Sequence, residues 1–143
     1  MSASLSIQIS CSIRSTRTPE SFERRHERSC AKRHGPDCFL SLQTLSEFFA
    51  STTRKGKLTA AEASTHVEDW QTLFPVVAAT PGSLRLAMRA VQQHSLSFWD
   101  AMQWAVAKQA GATLLLSEDL QHDRVLEGVR FRNPFLVDDP FGS

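Results

Sequence analysis

The 143 residues of this chain, 41% of them hydrophobic, suffice for one domain with a real core and not for two comfortable ones. Its 16 Lys and Arg against 15 Asp and Glu, a formal net charge of +1, exclude a uniformly basic surface, so any nucleic-acid binding must come from a local patch. Cys11, Cys30 and Cys38 lack paired or zinc-ligand spacing, no stretch approaches a membrane span, and the start lacks the apolar centre of a secretion signal, which together point to a reduced, cytoplasmic chain.

Residues 1–36 differ in composition from the rest. They are rich in Ser and Arg, carry the clusters Arg24-Arg25-His26 and Lys32-Arg33-His34, and show little sustained apolar period. Such a segment reads as a solvated basic stretch, with an RNA-binding arm as the functional alternative. After the turn signal Gly35-Pro36-Asp37, Cys38 to Ser41 suits a short strand. From Leu42 to Thr53, Leu42, Leu45, Phe48 and Phe49 recur at helical spacing, and Glu47 lies off that stripe. Arg54-Lys55-Gly56-Lys57 is a basic turn that either touches a phosphate backbone or is simply solvated.

Thr59-Ala60-Ala61-Glu62 is a capping box that opens a helix through about Leu73, with Ala63, Val67 and Trp70 facing the core. Phe74 to Ala78 is a strand candidate. Thr80-Pro81 then starts a helix whose apolar face is Leu84, Met88 and Val91, with Arg85 and Arg89 on another face. Ser97 caps the next helix, Asp100 sits in its positively polarised first turn, and Gly111 ends it. Phe98, Trp99, Met102, Trp104 and Val106 surround that helix with bulk, so it should be largely buried and could meet a second subunit.

Ala112 to Leu116 shows no alternation, as expected of a strand covered on both faces in a parallel sheet. Open parallel sheets place their sites beyond the carboxyl ends of the strands, where Ser117, Glu118 and Asp119 fall. Asp100 and Asp119 are therefore candidates for one acidic site, against the plainer reading of Asp100 as a helix cap. Histidine as a residue type suits proton transfer near neutral pH, but neither His94 nor His122 has a partner recognisable in the sequence, and both read as loop residues.

Ser97-Phe98-Trp99-Asp100-Ala101, Leu115-Leu116-Ser117-Glu118-Asp119-Leu120 and Val129-Arg130-Phe131-Arg132-Asn133-Pro134-Phe135 resemble the C-terminal motifs of PIN-domain ribonucleases of the VapC toxin type. Leu40 to Phe49 resembles the motif in which that family's second helix carries an acidic residue. The likeness runs from about Asp37 to Phe135 and implies an α/β fold, an α/β/α sandwich around a mostly parallel sheet. It implies residues 37–137 as the domain, 1–36 as an atypical segment and 138–143 as a tail. It places Glu47, Asp100 and Asp119 as catalytic, metal-holding carboxylates for Mg2+ or Mn2+, with Ser117 and Glu118 in support. RNA is then the substrate, an antitoxin protein and a second copy in a homodimer are the expected partners, and the alternative is a non-catalytic module that captures an antitoxin or dimerises.

The family's opening strand, which ends in Asp-Ser/Thr-Asn, has no counterpart in residues 1–36, so the first strand and helix are expected to be lost or disordered. The genetic code suggests a cause. Regrouping the codons of Ser6 to Ser12 by one base permits Asp-Ser/Thr-Asn-Ile-Leu-Leu, and the same shift over Glu23 to Arg33 permits an alanine-rich amphipathic helix. The expectation is that about Ala3 to His34 are translated out of frame. The gene's nucleotides check it: the shifted frame should run without a stop and encode Asp before Asn near Ser6, and a stop codon there refutes it.

Overall fold

The computed structural model describes residues 9–11, 38–117, 120–133, 136 and 138. In chain order these form β1 (Ile9–Cys11), β2 (Cys38–Ser41), α1 (Leu42–Arg54), α2 (Ala60–Leu73), β3 (Val76–Val77), α3 (Pro81–His94), α4 (Phe98–Gln109), β4 (Leu114–Leu116), β5 (Val125–Leu126) and β6 (Val129–Arg132). The basic clusters of residues 1–36 and most of the tail lie outside the described residues.

The helix ends follow the local signals. Thr59 and Glu62 form the reciprocal capping box, the Thr59 N–H donating to Glu62 Oε2 at 2.8 Å and the Glu62 N–H to Thr59 Oγ1 at 3.2 Å. Gly111, at φ +82°, closes α4. Its N–H donates to the Lys108 carbonyl at 3.0 Å and that of Ala112 to Ala107 at 2.9 Å, the two bonds that satisfy the last carbonyls of a helix at a left-handed stop.

The strands form one sheet in the order β3-β2-β1-β4-β6-β5. β2 and β3 are parallel, as are β4 and β6, while β1 is antiparallel to both β2 and β4, and β5 is antiparallel to β6. Four strands, β2, β3, β4 and β6, therefore share a direction, and β1 and β5 oppose it. Where the sequence leads one to expect the opening strand to be lost, Ile9–Cys11 stands mid-sheet, its Ile9 opposite both Leu40 and Leu116. It runs against the strands it joins.

Helices cover both faces. On one side Cys38 and Leu40 of β2 and Leu114 and Leu116 of β4 pack with Leu45 and Phe48 of α1 and Trp70 of α2. On the other, Phe39, Leu115, Val129 and Phe131 pack with Ala87 and Ala90 of α3 and Ala101, Met102, Trp104 and Ala105 of α4. Phe39 lies opposite to Cys38 and Leu40 because successive strand side chains alternate. The result is the expected α/β/α sandwich. No described helix is long and apolar enough to cross a membrane.

Three packing expectations need correction. In α3 the buried stripe is Ser83, Ala87 and Ala90, each 0% exposed, whereas Leu84, Met88 and Val91 are 41%, 44% and 38% exposed. Small residues on α3 meet small residues on α4, so the backbones approach closely and the bulky neighbours are turned outward. In α1, Leu45 and Phe48 are buried but Leu42 and Phe49 are not. Residues 101–107 of α4 are all buried, yet Phe98 and Trp99 at its start are exposed.

The β5–β6 hairpin turns through Glu127 (φ +47°) and Gly128 (φ +86°), the left-handed pair that matches the twist of a two-residue hairpin loop. Its tip is tied to both helices of that face. Arg89 of α3 donates to Glu127 Oε1 at 2.8 Å, His94 Nε2 lies 3.3 Å from Glu127 Oε2, and Lys108 of α4 donates to the Glu127 carbonyl at 3.0 Å. The buried Trp104 indole N–H donates to the Leu126 carbonyl at 3.1 Å. His94, read as a loop residue without a partner, is thus the last residue of α3 and part of this cluster.

Partial burial raises the pKa of Glu127, but the charges of Arg89 and Lys108 and the hydrogen bonds from His94 and Arg89 outweigh it and hold the carboxyl below its ordinary value. A carboxylate with a depressed folded-state pKa contributes stability above its unfolded value of about 4.3 and loses it as pH falls through the folded value. Glu127→Gln should therefore cost at most about 1 kcal/mol at pH 7, since the pairs are partly solvated and screened. Thermal unfolding checks this: a deficit of up to about 4 °C at pH 7 should shrink below about pH 4, and a deficit that is constant with pH would show that the charge is irrelevant.

Candidate active site

Ser41 is the last residue of β2 and the cap of α1, so its hydroxyl has two duties. Its Oγ accepts from the Thr44 N–H at 3.1 Å and donates to Gln103 Oε1 of α4 at 2.8 Å. Because a serine hydroxyl has one proton, the 2.8 Å contact between Ser41 Oγ and Thr44 Oγ1 must be donated by Thr44. Gln103 Nε2 completes a closed ring by donating to Thr44 Oγ1 at 3.3 Å. All three residues are buried, at 4%, 1% and 3% exposure, so each hydroxyl and amide depends on the others for the partner that water would supply.

This ring joins segments 62 residues apart and ties the end of β2 and the first turn of α1 to the middle of α4. The candidate acids stand one helical turn from it. Glu47 follows Thr44 by three residues on α1, and Asp100 precedes Gln103 by three on α4. Glu47 is exposed and accepts from Gln43 Nε2 at 2.8 Å. Asp100 is half-buried in the first turn of α4, its N–H donating to the capping Ser97 Oγ at 3.4 Å, where the helix dipole favours a negative charge.

Ser117 follows β4 directly and is 1% exposed, its N–H extending the β4–β6 ladder to the Arg132 carbonyl at 3.0 Å. Because β2 and β4 share a direction, Ser41 and Ser117 end their strands at the same sheet edge. Glu118 and Asp119 lie outside the described residues. The structure thus links the helices of Glu47 and Asp100 and puts Ser117 at the edge where α1 begins. Among the described residues no three His, Cys, Asp or Glu side chains gather closely enough to hold a metal ion.

Glu47 and Asp100 offer carboxylate oxygen alone, with hydroxyl and amide oxygens behind them. That donor chemistry fits a hard divalent cation such as Mg2+ or Mn2+ and not a zinc site. His122 is not in competition for it. Its Nδ1 accepts from the Asn133 N–H at 3.0 Å, which leaves the proton on Nε2, 3.2 Å from Asp123 Oδ2. Asp123, at φ +61°, also faces Arg130 Nη1 at 3.7 Å and Arg132 Nε at 3.6 Å.

Sequence reasoning missed Thr44 and Gln103. The available signal was a polar residue inside the otherwise apolar run Ala101-Met102-Gln103-Trp104-Ala105, on the side of the helix next to Asp100. Gln103→Leu should leave the Ser41 and Thr44 hydroxyls short of a partner and cost about 1–3 kcal/mol. Urea unfolding measures this, and an unchanged midpoint would show that the ring contributes nothing.

A family model described as PIN domain matches residues 13–127, a span that begins inside the segment set apart above on composition. No curated protein matches the chain.

Proposed function

This chain belongs to the PIN-domain family, whose members are nucleases, and from that premise we propose that it is a metal-dependent endoribonuclease of the VapC toxin type. The observation that supports the reading is the Ser41–Thr44–Gln103 ring, which links the helix that carries Glu47 to the helix that carries Asp100. Asp119, two residues beyond Ser117, is the third acid of the proposal.

Glu47, Asp100 and Asp119 would hold a Mg2+ or Mn2+ ion, with Ser117 and Glu118 in support. When bound, the ion supplies Lewis-acid stabilisation of the phosphodiester and an activated water. The side chains' own work is to orient and to balance charge. Asp100, in the first turn of α4 where a helix dipole favours a negative charge, would anchor the site, and Glu47 would contribute from α1. Cleavage follows only if the carboxylates stay close enough for a cation to offset their repulsion.

The first acid of the family's pattern remains missing. Residues 1–36 contain Glu20, Glu23 and Glu27 and no Asp, and the mid-sheet strand runs against its neighbours. We therefore expect weak cutting by this chain and stronger cutting by its restored-frame form. A second reading, a PIN-like module that captures an antitoxin segment or a second copy without cutting, is favoured by the apolar stripe Leu84, Met88 and Val91 left exposed on α3.

Magnesium-dependent cleavage of structured RNA tests both. Cutting by the restored-frame form, reduced at least about 100-fold by Asp100→Asn, supports the nuclease, since even outer-shell partners of a metal site are worth 10- to 100-fold. Robust cutting by the present chain overturns the expected weakness alone. Metal-independent silence of both forms leaves the binding module.

A further inference from the structure

The three tryptophans have different surroundings. Trp70 is 8% exposed and packs edge-on against Phe48 with ring centres 4.6 Å apart, and Trp104 is 0% exposed with its N–H bonded to Leu126. Trp99 is 62% exposed and immediately precedes Asp100 in the first turn of α4. An indole is the largest apolar side chain, and leaving it in water forgoes more burial than any other residue would. Phe98, itself 37% exposed, meets it edge to face at 4.9 Å and 65°, so the ring pair is braced from one side.

A cation stands at the same corner. Arg124 Nη2 donates to the His94 carbonyl at 2.7 Å, at the end of α3, and only the short link to Ser97 separates His94 from the start of α4. Trp99 is five residues beyond His94, a chain length of at most about 18 Å, so the guanidinium and the aromatic pair lie within the path of a few successive nucleotides of one strand.

We propose that this α3–α4 corner is a subsite for single-stranded RNA, in which Trp99 stacks on a nucleobase beside the scissile phosphodiester and Arg124 faces an adjacent phosphate. The proposal rests on the nuclease reading and adds how the substrate is held. RNA suits the corner better than a protein partner for two reasons. A strand laid over Asp100 must pass Trp99, its neighbour in the same helical turn. A chain of net charge +1 whose site is acidic also attracts polyanions weakly, so binding there needs a component independent of charge, which base stacking supplies to every base alike.

Binding of a single-stranded RNA oligonucleotide in EDTA, where nothing is cut, tests this. Because Trp70 and Trp104 are buried, acrylamide quenching of tryptophan fluorescence reports chiefly on Trp99. RNA should shield Trp99 saturably. Trp99→Ala should raise Kd by roughly 5- to 100-fold, the range for loss of one base–aromatic stack, with the salt dependence unchanged. Trp99→Phe should recover part of the loss, and Arg124→Gln should reduce the salt slope by about 0.7, the value for one phosphate contact to a single strand. Native RNA affinity in Trp99→Ala overturns the subsite, as does quenching unaffected by RNA. Shielding that varies with protein concentration in the absence of RNA would assign the corner to a second copy and overturn it equally. Metal-dependent cutting is read separately, so a chain that cuts but shows no Trp99 effect loses this subsite and keeps the nuclease reading.

Discussion

A closed ring of three hydrogen bonds ties the end of β2 and the start of α1 to α4. Ser41, Thr44 and Gln103 each give one proton and take one from another member, and none is open to water. Buried polar groups are costly when half-satisfied and orienting when paired, because their hydrogen bonds are directional. The ring therefore does what an apolar contact could not: it ties the end of β2 and the first turn of α1 to one residue of α4 by directional bonds.

The rest of the fold delivers residues to the edge where β2 ends. β2 and β4 run in the same direction, so Ser41 and Ser117 emerge together, and the sheet is sealed above and below by separate apolar layers. β1 lies between those strands in the reverse sense. A backbone in either direction can hydrogen-bond to both neighbours, so the reversed strand still joins the ladder on each side.

The other end of the sheet is secured by charge. Glu127 occupies a left-handed position that glycine would hold with less strain, and the residue's presence there follows from its contacts to Arg89, His94 and Lys108, which bind the hairpin tip to α3 and α4. With Trp104 bonded to Leu126 beneath it, the hairpin closes the layer that covers one face of α4. Helix α4 is thus buried from Ala101 to Ala107 and meets solvent at both ends, through Phe98, Trp99 and the half-buried Asp100 at its first turn and through Lys108 and Gln109 at its last.

Local sequence determined what is decided within a few residues along the chain. The Thr59–Glu62 box, the Ser97 cap, the Gly111 stop and the unbroken apolar run into Leu116 were all legible, as was the placing of Ser117 at a strand end. Tertiary structure decided what depends on a partner's shape. In α3 two stripes offset by one residue compete for the interior, and the small one is buried because α4 brings alanines to the contact, a fact absent from the α3 sequence. The direction of β1 and the pairing of Gln103 with Ser41 are of the same kind, since a hydrogen bond between residues 62 apart leaves no periodic trace in either segment.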